Sequence, residues 1–337
     1  MIKVYSASET QFKNNGLVVL LPSKCEVHNE DNGDFYLELT ADTKFVDYLK
    51  ENNIIVCKTP QGEQPFRIRT SKISNKKIEV TAYHVYYDSE NYLILDSYAQ
   101  NLTAGQALNH FKAATVPQNA FLFESDINTR NNFRCVRKSL REAIDTVVER
   151  WGGHLKRDKW SVALSQNIGV DNGIVIEYRK NLKEMTATYS WQDVVTRLLP
   201  VGNDGIMLPE QFISKGGYNI PYCKTVDFDQ SGIDREDYDT EAAYIQAIRT
   251  ELRKQANEYI NIHYLPQVTY ELKATPEKVT DIGDYILVKD KEIGINLITQ
   301  VIAYEYDAIS ERYINLEFGN YKNTVKKAII SLIKSTK

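Results

Sequence analysis

Apolar and polar residues alternate through much of the stretch from Gly33 to Asp88. A period of two is typical of strands with one buried face. The alternating runs FYLELT, IIVC, FRIRTSKI and KIEVTAYHVYY are separated by the turn-rich pieces TPQGEQP and SNK. We therefore predict antiparallel hairpins, with a short helix through FVDYLK that begins at the capping residue Asp42.

The next stretch, residues 91–185, mixes helix and strand signals. Thr103 heads an Ala-rich run, and Ser139 and Glu142 have the spacing of a capping box ahead of AIDTVVERW. In a capping box two side chains satisfy free backbone amides at the helix start. The GG pair that follows predicts the helix end. Two further runs, HLKRDKWSVAL and VDNGIVIEY, predict strands with tight turns, the first about Arg157-Asp158-Lys159 and the second at Asp171-Asn172-Gly173. Together these signals indicate an α/β insertion.

A helical period replaces the strand period after Asp239. Within residues 240–264 the apolar residues fall on one helical face: Ala242, Ile245, Ile248, Leu252, Ala256, Tyr259 and Ile260. Residues at this spacing line one side of a helix, here about six turns long. We interpret this helix as a strut between domains.

The strand and turn lengths near the start of the chain recur near its end, in DIGDYILVKDKEIGINLITQVIAYEYDAISERYINLEFGN. The predicted fold is therefore α+β, mainly β, with two similar β-barrel-like domains joined by an α/β insertion and a helical strut. The predicted divisions are a first β-barrel domain at 1–90, the insertion at 91–185, a connecting strand, acidic loop and helix at 186–264, a second β-barrel domain at 265–322, and an amphipathic tail at 323–337.

Charge and composition narrow the function classes. The chain has 41 basic and 45 acidic residues and a formal net charge of −4. Tight binding of a phosphate backbone needs clustered basic residues, so we do not expect it. No signal-like or membrane-spanning apolar run is apparent, so synthesis in a cytoplasm is expected. The 22 tyrosines favour half-buried strands and protein interfaces.

Catalytic motifs are not found in the sequence. Five scattered histidines (His28, His84, His110, His154 and His263) form no HExxH, and no GxSxG elbow occurs. Four separated cysteines (Cys25, Cys57, Cys135 and Cys223) form no CxxC pair and are expected to be buried free thiols. We predict no catalytic residue, no cofactor-binding residue, no metal ligand and no cofactor.

Three weaker signals have an ordinary explanation beside a functional one. DFDQSG, from Asp227, opens like a calcium loop but has Tyr238 where the closing Glu belongs, so a solvated acidic loop is favoured. A local basic run, favoured as a solvated helix entry, comprises Arg130, Arg134, Arg137, Lys138 and Arg141. A tyrosine cluster, favoured as core or subunit packing over a sugar-stacking surface, comprises Tyr83, Tyr86, Tyr87, Tyr92 and Tyr98.

Long blocks of this sequence resemble the prophage tail-protein family, in order along nearly the whole chain. The blocks are QPFRIRTSKISNKKIEVTAYHVYYD, SLREAIDTVVERWGGHLKRDKWSVALSQNIGVDNGIVIEYRKNLKEM, VVTRLLPVGNDG, GDYILVKD, ITQVIAYEYD and YINLEFGN. That family includes the hub region of tail-associated baseplate proteins and is similar to the central hub of contractile phage tails. Many of its members continue beyond the position of Lys337 into a lysin or fibre region.

The resemblance implies a structural role at the virion tail tip. The expected assembly is a homotrimeric ring below the tail tube that contacts a distal tail adaptor protein and the tape-measure protein and gates the transient passage of double-stranded DNA. Six barrel-like domains in such a trimer are expected to match a hexameric tube. The alternatives are a tail-associated peptidoglycan endopeptidase and a carbohydrate-binding module for the host wall.

Overall fold

A computed structural model describes residues 1–177, 180, 182–230, 233–274, 280–290 and 295–319. Within these ranges the chain forms two compact units, residues 1–186 with 271–319 and residues 187–270. We call them the first unit and the second unit. The finer five-part division stays a prediction, and the predicted amphipathic tail at 323–337 lies outside the described residues.

The N-terminal part of the first unit consists of strands, of which the alternation that begins at Gly33 predicts the last four. They are β1 (Ile2–Tyr5), β2 (Val18–Leu20), β3 (Lys24–Glu30), β4 (Phe35–Asp42), β5 (Ile54–Thr59), β6 (Gly62–Ile73) and β7 (Lys77–His84). Asp42 caps the short 3₁₀ helix Thr43–Phe45, since its Oδ1 accepts from the Lys44 amide at 2.9 Å. A second 3₁₀ helix, Val85–Asn91, follows β7.

One large sheet contains strands from both ends of the chain. Its C-terminal strands are β20 (Tyr285–Asp290), β21 (Ile295–Asp307) and β22 (Arg312–Gly319). The antiparallel order is β22-β21-β3-β4-β7-β6-β5-β1-β2, and β20 also pairs with β21. The strand β14 (Asp171–Glu177) lies parallel to β20.

The α+β, mainly β class is confirmed, but the described strands contain no closed barrel. The two strand-rich ends share one sheet, because β3 pairs with β21 over Glu26 to Glu30. This sheet curls, because the thiol of Cys57 in β5 lies close to that of Cys25 in β3, although β4, β7 and β6 lie between these strands in the sheet order. Burial raises the pKa of the Cys57 thiol.

The predicted α/β insertion consists of two helices and two small sheets. Its elements are β8 (Leu93–Thr103), α1 (Ala104–Ala113), β9 (Thr115–Val116), β10 (Leu122–Ser125), β11 (Arg130–Ser139), α2 (Leu140–Trp151), β12 (His154–Asp158) and β13 (Ser161–Ser165). The sheet orders are β11-β8-β9 and β10-β13-β12. Both helix starts are confirmed as capping boxes, at Thr103 and Ser139, and Gly152 ends α2 at φ 76°.

The second unit places a long helix against a small sheet. The chain enters it through β15 (Leu182–Ser190) and continues as β16 (Arg197–Val201), β17 (Ile213–Ser214), β18 (Cys223–Asp227), α3 (Glu241–His263) and β19 (Gln267–Ala274). Short 3₁₀ turns lie at Asn203–Gly205 and Arg235–Asp237. The sheet order is β17-β16-β18, and the core of this unit joins Val195 and Leu198 to Ala256 and Ile260 of α3. The predicted helix is thus confirmed.

Among the described residues, no helix is both long enough and apolar enough to span a membrane.

Candidate functional site

A buried arginine joins the insertion to the large sheet within the first unit. Arg157 lies in β12, where its neighbours along the strand alternate between buried and exposed positions, and only 3% of it is exposed. Its guanidinium donates to the Gly33 carbonyl at 2.6 Å, to the Glu30 carbonyl at 2.7 Å and to Asn29 Oδ1 at 2.9 Å. We call these contacts, with those of the β3–β4 turn below, the junction.

Aromatic rings complete the surroundings of this guanidinium. Its central carbon lies 5.3 Å from the Phe35 ring centre and 5.7 Å from that of Tyr86. Carbonyl dipoles and ring faces stabilise a buried cation without a full opposite charge. The sequence predicted a turn about Arg157-Asp158-Lys159, but Asp158 pairs with Ser161, so the turn consists of Lys159 and Trp160 and Arg157 lies within the strand. The junction was therefore missed from the sequence.

Further hydrogen bonds join the β3–β4 turn to the start of β12. Asn32 Nδ2 donates to the Gly153 carbonyl at 2.9 Å, and its Oδ1 accepts from the Leu155 amide at 2.8 Å. Asn32 has φ 53°, a left-handed conformation that asparagine tolerates better than most residues. Asp31 Oδ2 contacts His154 Nδ1 at 2.8 Å. The insertion is thus fixed on the sheet by polar groups with little exposure.

His84 extends this polar network into the core of the sheet. Its Nε2 lies 3.1 Å from Gln64 Oε1, and its Nδ1 accepts from the Tyr86 amide at 3.2 Å. This pattern assigns the proton to Nε2. Burial, and then the positive charges of Arg157 and Lys159, lower the pKa of His84 well below its ordinary value. A neutral, hydrogen-bonded core histidine has a structural role.

The remaining histidines do not converge on one site. His110 Nε2 lies 2.9 Å from Ser97 Oγ, the distance of a nucleophile and a base, but both groups are on an exposed surface. Among the described residues, no carboxylate contacts His110 to orient its ring, as a hydrolytic triad requires. His263 contacts the Tyr259 carbonyl of its own helix at 2.9 Å. The absence of a catalytic site stays a prediction.

Glu26, His28 and Glu38 form the cluster that comes closest to a metal site in the described residues. Their ligand atoms lie within 4.8 Å of one another, because β3 and β4 bring Glu26 opposite Glu38. Lys24 Nζ lies 2.8 Å from a carboxylate oxygen of each glutamate. Its hydrogen bonds with Glu26 and Glu38 raise the pKa of Lys24, and they lower that of Glu38. The lysine ammonium supplies the positive charge at this cluster.

The calcium-like loop starts inside a strand. Asp227 is the last residue of β18, and the Asp229 carbonyl accepts from Gln255 Nε2 at 3.0 Å. Residues 231 and 232 lie outside the described residues. The absence of a calcium site therefore stays a prediction.

The tyrosine cluster is mostly packed. Tyr86 and Tyr87 are buried, Tyr83 and Tyr92 are half-buried, and only Tyr98 is exposed. Burial raises the pKa of the Tyr87 hydroxyl, which donates to the Gly33 carbonyl at 3.2 Å and so adds to the junction. The packing interpretation agrees with these positions.

Cys25, Cys57 and Cys135 are buried free thiols, as expected, but Cys223 is exposed and that expectation was wrong. Cys223 is the first residue of β18, in a small sheet where most residues of that strand face solvent.

Helices α1 and α2 pack on the β11-β8-β9 sheet, where Phe111 of α1 meets Phe133 of β11 with ring centres 5.1 Å apart. Five large exposed apolar or aromatic residues lie on the three strands: Leu93, Leu95, Tyr98, Val116 and Val136. Side chains alternate between the two faces of a strand, so the register divides these residues between both faces of the sheet.

The basic run begins with exposed residues of β11. Arg130, Arg134, Arg137 and Lys138 all lie exposed on β11, and Arg134 forms a two-pronged ion pair with Asp96 at 2.6 and 2.9 Å. Arg141 differs from them. It is half-buried, donates to the Tyr86 hydroxyl at 2.9 Å and pairs with Asp145. The solvated interpretation of the basic run thus fits four of its five members.

Both the sequence and the fold are similar to those of known proteins. Residues 170–329 match the family model described as prophage endopeptidase tail. A prophage tail protein, gp18 of Listeria monocytogenes EGD-e, superposes with a TM-score of 0.67 at 16% identity, covering 99% of this chain and 98% of that one. The fold is that of a prophage tail protein.

Two other structures with this fold come from another prophage and from a secretion system. The 43 kDa tail protein of prophage MuSo2 from Shewanella oneidensis has a TM-score of 0.64 at 11% identity, covering 95% of this chain and 98% of that one. The E. coli c3393 protein, a type VI secretion component, has a TM-score of 0.55 at 10% identity and covers 95% and 76%. No curated protein matches the sequence.

The resemblance to prophage tail proteins that the sequence indicated is confirmed. The matched structures are described as tail proteins or as a secretion-system component, whereas the name of the matched family mentions an endopeptidase. The prophage tail fold thus leaves two functions to be distinguished, assembly and hydrolysis.

Proposed function

We propose that this chain is a structural hub protein of a phage or prophage tail tip, forming a homotrimeric ring below the tail tube. The observation that carries the proposal is the end-to-end match to a Listeria prophage tail protein, over 99% of this chain and 98% of that one. A match over a lysin or fibre module alone would favour a different role. The ring contacts a distal tail adaptor protein and the tape-measure protein.

Double-stranded DNA crosses the ring without tight binding. The chain's net charge of −4 supports this, because each phosphate neutralised by Lys or Arg adds affinity and slows transit. The virion tail tip is the proposed location, after synthesis in the bacterial host cytoplasm. We expected six barrel-like domains in the trimer to match a hexameric tube. The described strands from both ends of the chain form one curled sheet, so two closed barrels per chain are not proposed.

Imaging and subunit counting of purified tails test the hub. We expect three copies of the chain per tail tip, located between tube and adaptor. Six copies, or a position away from the tube axis, would refute the proposed ring.

The competing function is peptidoglycan hydrolysis, which the family name and the Ser97–His110 contact favour. We expect the purified chain to release no new amino termini from cell walls, since no carboxylate orients His110 in the described residues. The matched variant is Ser97→Ala. Release by the wild type that this substitution abolishes would establish a peptidase and contradict the structural role.

A further inference from the structure

Two of the four cysteines face each other inside the curled sheet. Cys25 of β3 and Cys57 of β5 are both 0% exposed and are free thiols. Their sulfur atoms lie close together, although β4, β7 and β6 separate the two strands in the sheet order. Two neighbouring thiols have a reaction that a single thiol lacks, since they can be joined as a disulfide.

The strand register places both thiols on one face of the sheet. A step across to a paired residue keeps the same face, and so does a step of two positions along a strand. Such steps lead from Cys25 to Cys57 through residues that are all buried. These residues are Leu39, Val80, Ala82, Ile68, Phe66 and Gln64. The two cysteines therefore share the inner face of the curl.

Contacts beside the thiols show that the sheet curls back on itself at this end. Lys58, which follows Cys57, pairs with Glu311 in the β21–β22 turn at 2.5 Å. Ala308, just after β21, donates its amide to the Cys25 carbonyl at 2.9 Å. In the sheet, β5 pairs with β1 and β6, whereas β3 pairs with β4 and β21. A bond between the thiols would thus connect strands that the sheet pairing leaves apart.

We propose that Cys25 and Cys57 form a disulfide on oxidation and that this bond fixes the curled shape of the sheet. Hydrogen peroxide, a small oxidant, suffices for the reaction. One thiol attacks the peroxide, the O–O bond breaks, and a sulfenic acid and a water result. The other thiol attacks the sulfenic sulfur, forming the S–S bond and releasing a second water. The peroxide accepts both electrons, and the thiol protons leave in the water.

The bond closes a loop of chain between positions 25 and 57. A cross-link of this kind restricts the unfolded chain, so it favours the folded state. Disulfides form and persist in oxidising surroundings and are rare in a reducing cytoplasm. The chain would therefore be made with free thiols and acquire the bond on meeting an oxidant. The inference goes beyond the proposed hub function and does not depend on it.

Peptide mapping of the oxidised full-length chain tests the link. A Cys223→Ser background removes the exposed thiol, which would otherwise link separate molecules. The folded chain is treated with hydrogen peroxide, alkylated in urea and digested without reductant. We expect the loss of two hydrogen atoms from the intact mass and a peptide pair joined through Cys25 and Cys57.

Cys135 is the internal control, because it is also a buried free thiol but lies in the β11-β8-β9 sheet. It should remain a thiol and be alkylated in urea. Alkylation of Cys25 and Cys57 after oxidation would overturn the proposal. Separate sulfinic acids at these positions, or a link that involves Cys135, would overturn it as well.

Urea denaturation tests whether the bond fixes the sheet. Oxidation should lower the unfolding equilibrium constant of the Cys223→Ser chain by roughly thirtyfold or more, and a reductant should reverse the gain. Adding Cys57→Ala leaves Cys25 without a partner thiol, so oxidation should then change nothing. Each protein is compared with its own reduced form, so a variant of lower stability still reports. A linked chain without the gain, or an equal gain with Cys57→Ala, would refute the fixing role.

Discussion

Two arginines attach neighbouring elements in this molecule, and their surroundings differ. Arg157 in the first unit is 3% exposed and donates to two backbone carbonyls and an asparagine oxygen. Arg253 on α3 of the second unit has a side chain 42% exposed and pairs with Glu210 at 2.8 and 2.9 Å. The exposed pair has a full opposite charge and the buried arginine does not.

The comparison shows that burial, more than formal pairing, decides how much such a contact contributes. An exposed ion pair replaces good hydration and contributes little. A buried hydrogen-bond donor cannot be removed without leaving its acceptors unpaired away from water. The junction in the first unit should therefore be sensitive to single substitutions, and the surface of the second unit tolerant of them.

The largest expected effect is that of Arg157→Met. The substitution leaves the Gly33 and Glu30 carbonyls and Asn29 Oδ1 without this donor, so the free energy of unfolding should fall by about 3 kcal/mol or more. Urea denaturation followed by tryptophan fluorescence measures it. In a Trp191→Phe background the remaining tryptophans, Trp151 and Trp160, both lie in the first unit.

Arg157→Lys serves as the matched variant. A single ammonium cannot reproduce the planar fork of the guanidinium, so it should recover only part of the loss. Full stability of Arg157→Met would mean that the junction carbonyls find water or other donors. Burial would then not decide how much an arginine contributes.

Asn32→Ala should have the next largest effect. It removes two hydrogen bonds to β12 and places alanine at φ 53°, which together should lower the free energy of unfolding by about 2–3 kcal/mol. The same fluorescence experiment measures it. Asn32→Gly removes the same hydrogen bonds without the left-handed penalty and should be less damaging than alanine. Equal losses for the two variants would show that backbone conformation contributes nothing here.

The parts of the fold that depend on local sequence were predictable. The helix starts at Thr103 and Ser139 follow from residues three positions apart, and α3 follows from its own apolar spacing. Local patterns of this kind need no knowledge of the rest of the chain. The strands from Phe35 to His84 were predicted for the same reason.

The pairings and the junction were not predictable in this way. Arg157 contacts residues more than 120 positions away, and β3 pairs with β21 across most of the chain. No local pattern distinguishes an arginine that a distant turn will bury from one that stays in solvent. The basic run shows the same limit, because Arg141 of α2 is half-buried against Tyr86 while the basic residues of β11 remain exposed.

A change of pH should alter the free energy of unfolding through His84, by an intermediate amount. Its folded pKa is depressed below 6.5 by burial and by Arg157 and Lys159, so the unfolded chain binds more protons than the folded one between the two pKa values. Stability from this group is fully present above 6.5 and is lost as pH falls towards the folded pKa, by up to about 1.4 kcal/mol per pH unit.

Urea titrations above and below pH 6.5 measure this dependence. The matched variant His84→Asn keeps an acceptor for the Tyr86 amide but does not titrate, so its stability should vary less with pH. A wild-type stability that rises on acidification would contradict the assigned neutral form.

The smallest expected effect is that of Arg253→Met, and it tests the other side of the comparison. The Arg253–Glu210 contact has good geometry, and the hydrogen bond from Arg253 lowers the pKa of Glu210, yet both side chains are well exposed to solvent. Hydration replaces such a pair when it is broken, so α3 should stay equally protected. Hydrogen exchange of peptides from residues 241–263 measures that protection.

The control is Leu252→Ala on the same helix, where truncation of a fully buried side chain should cost about 2–5 kcal/mol and increase exchange strongly. If Arg253→Met increased exchange as much as Leu252→Ala, exposed pairing would fix the helix as firmly as its buried face does, and burial would no longer explain the difference between the two units.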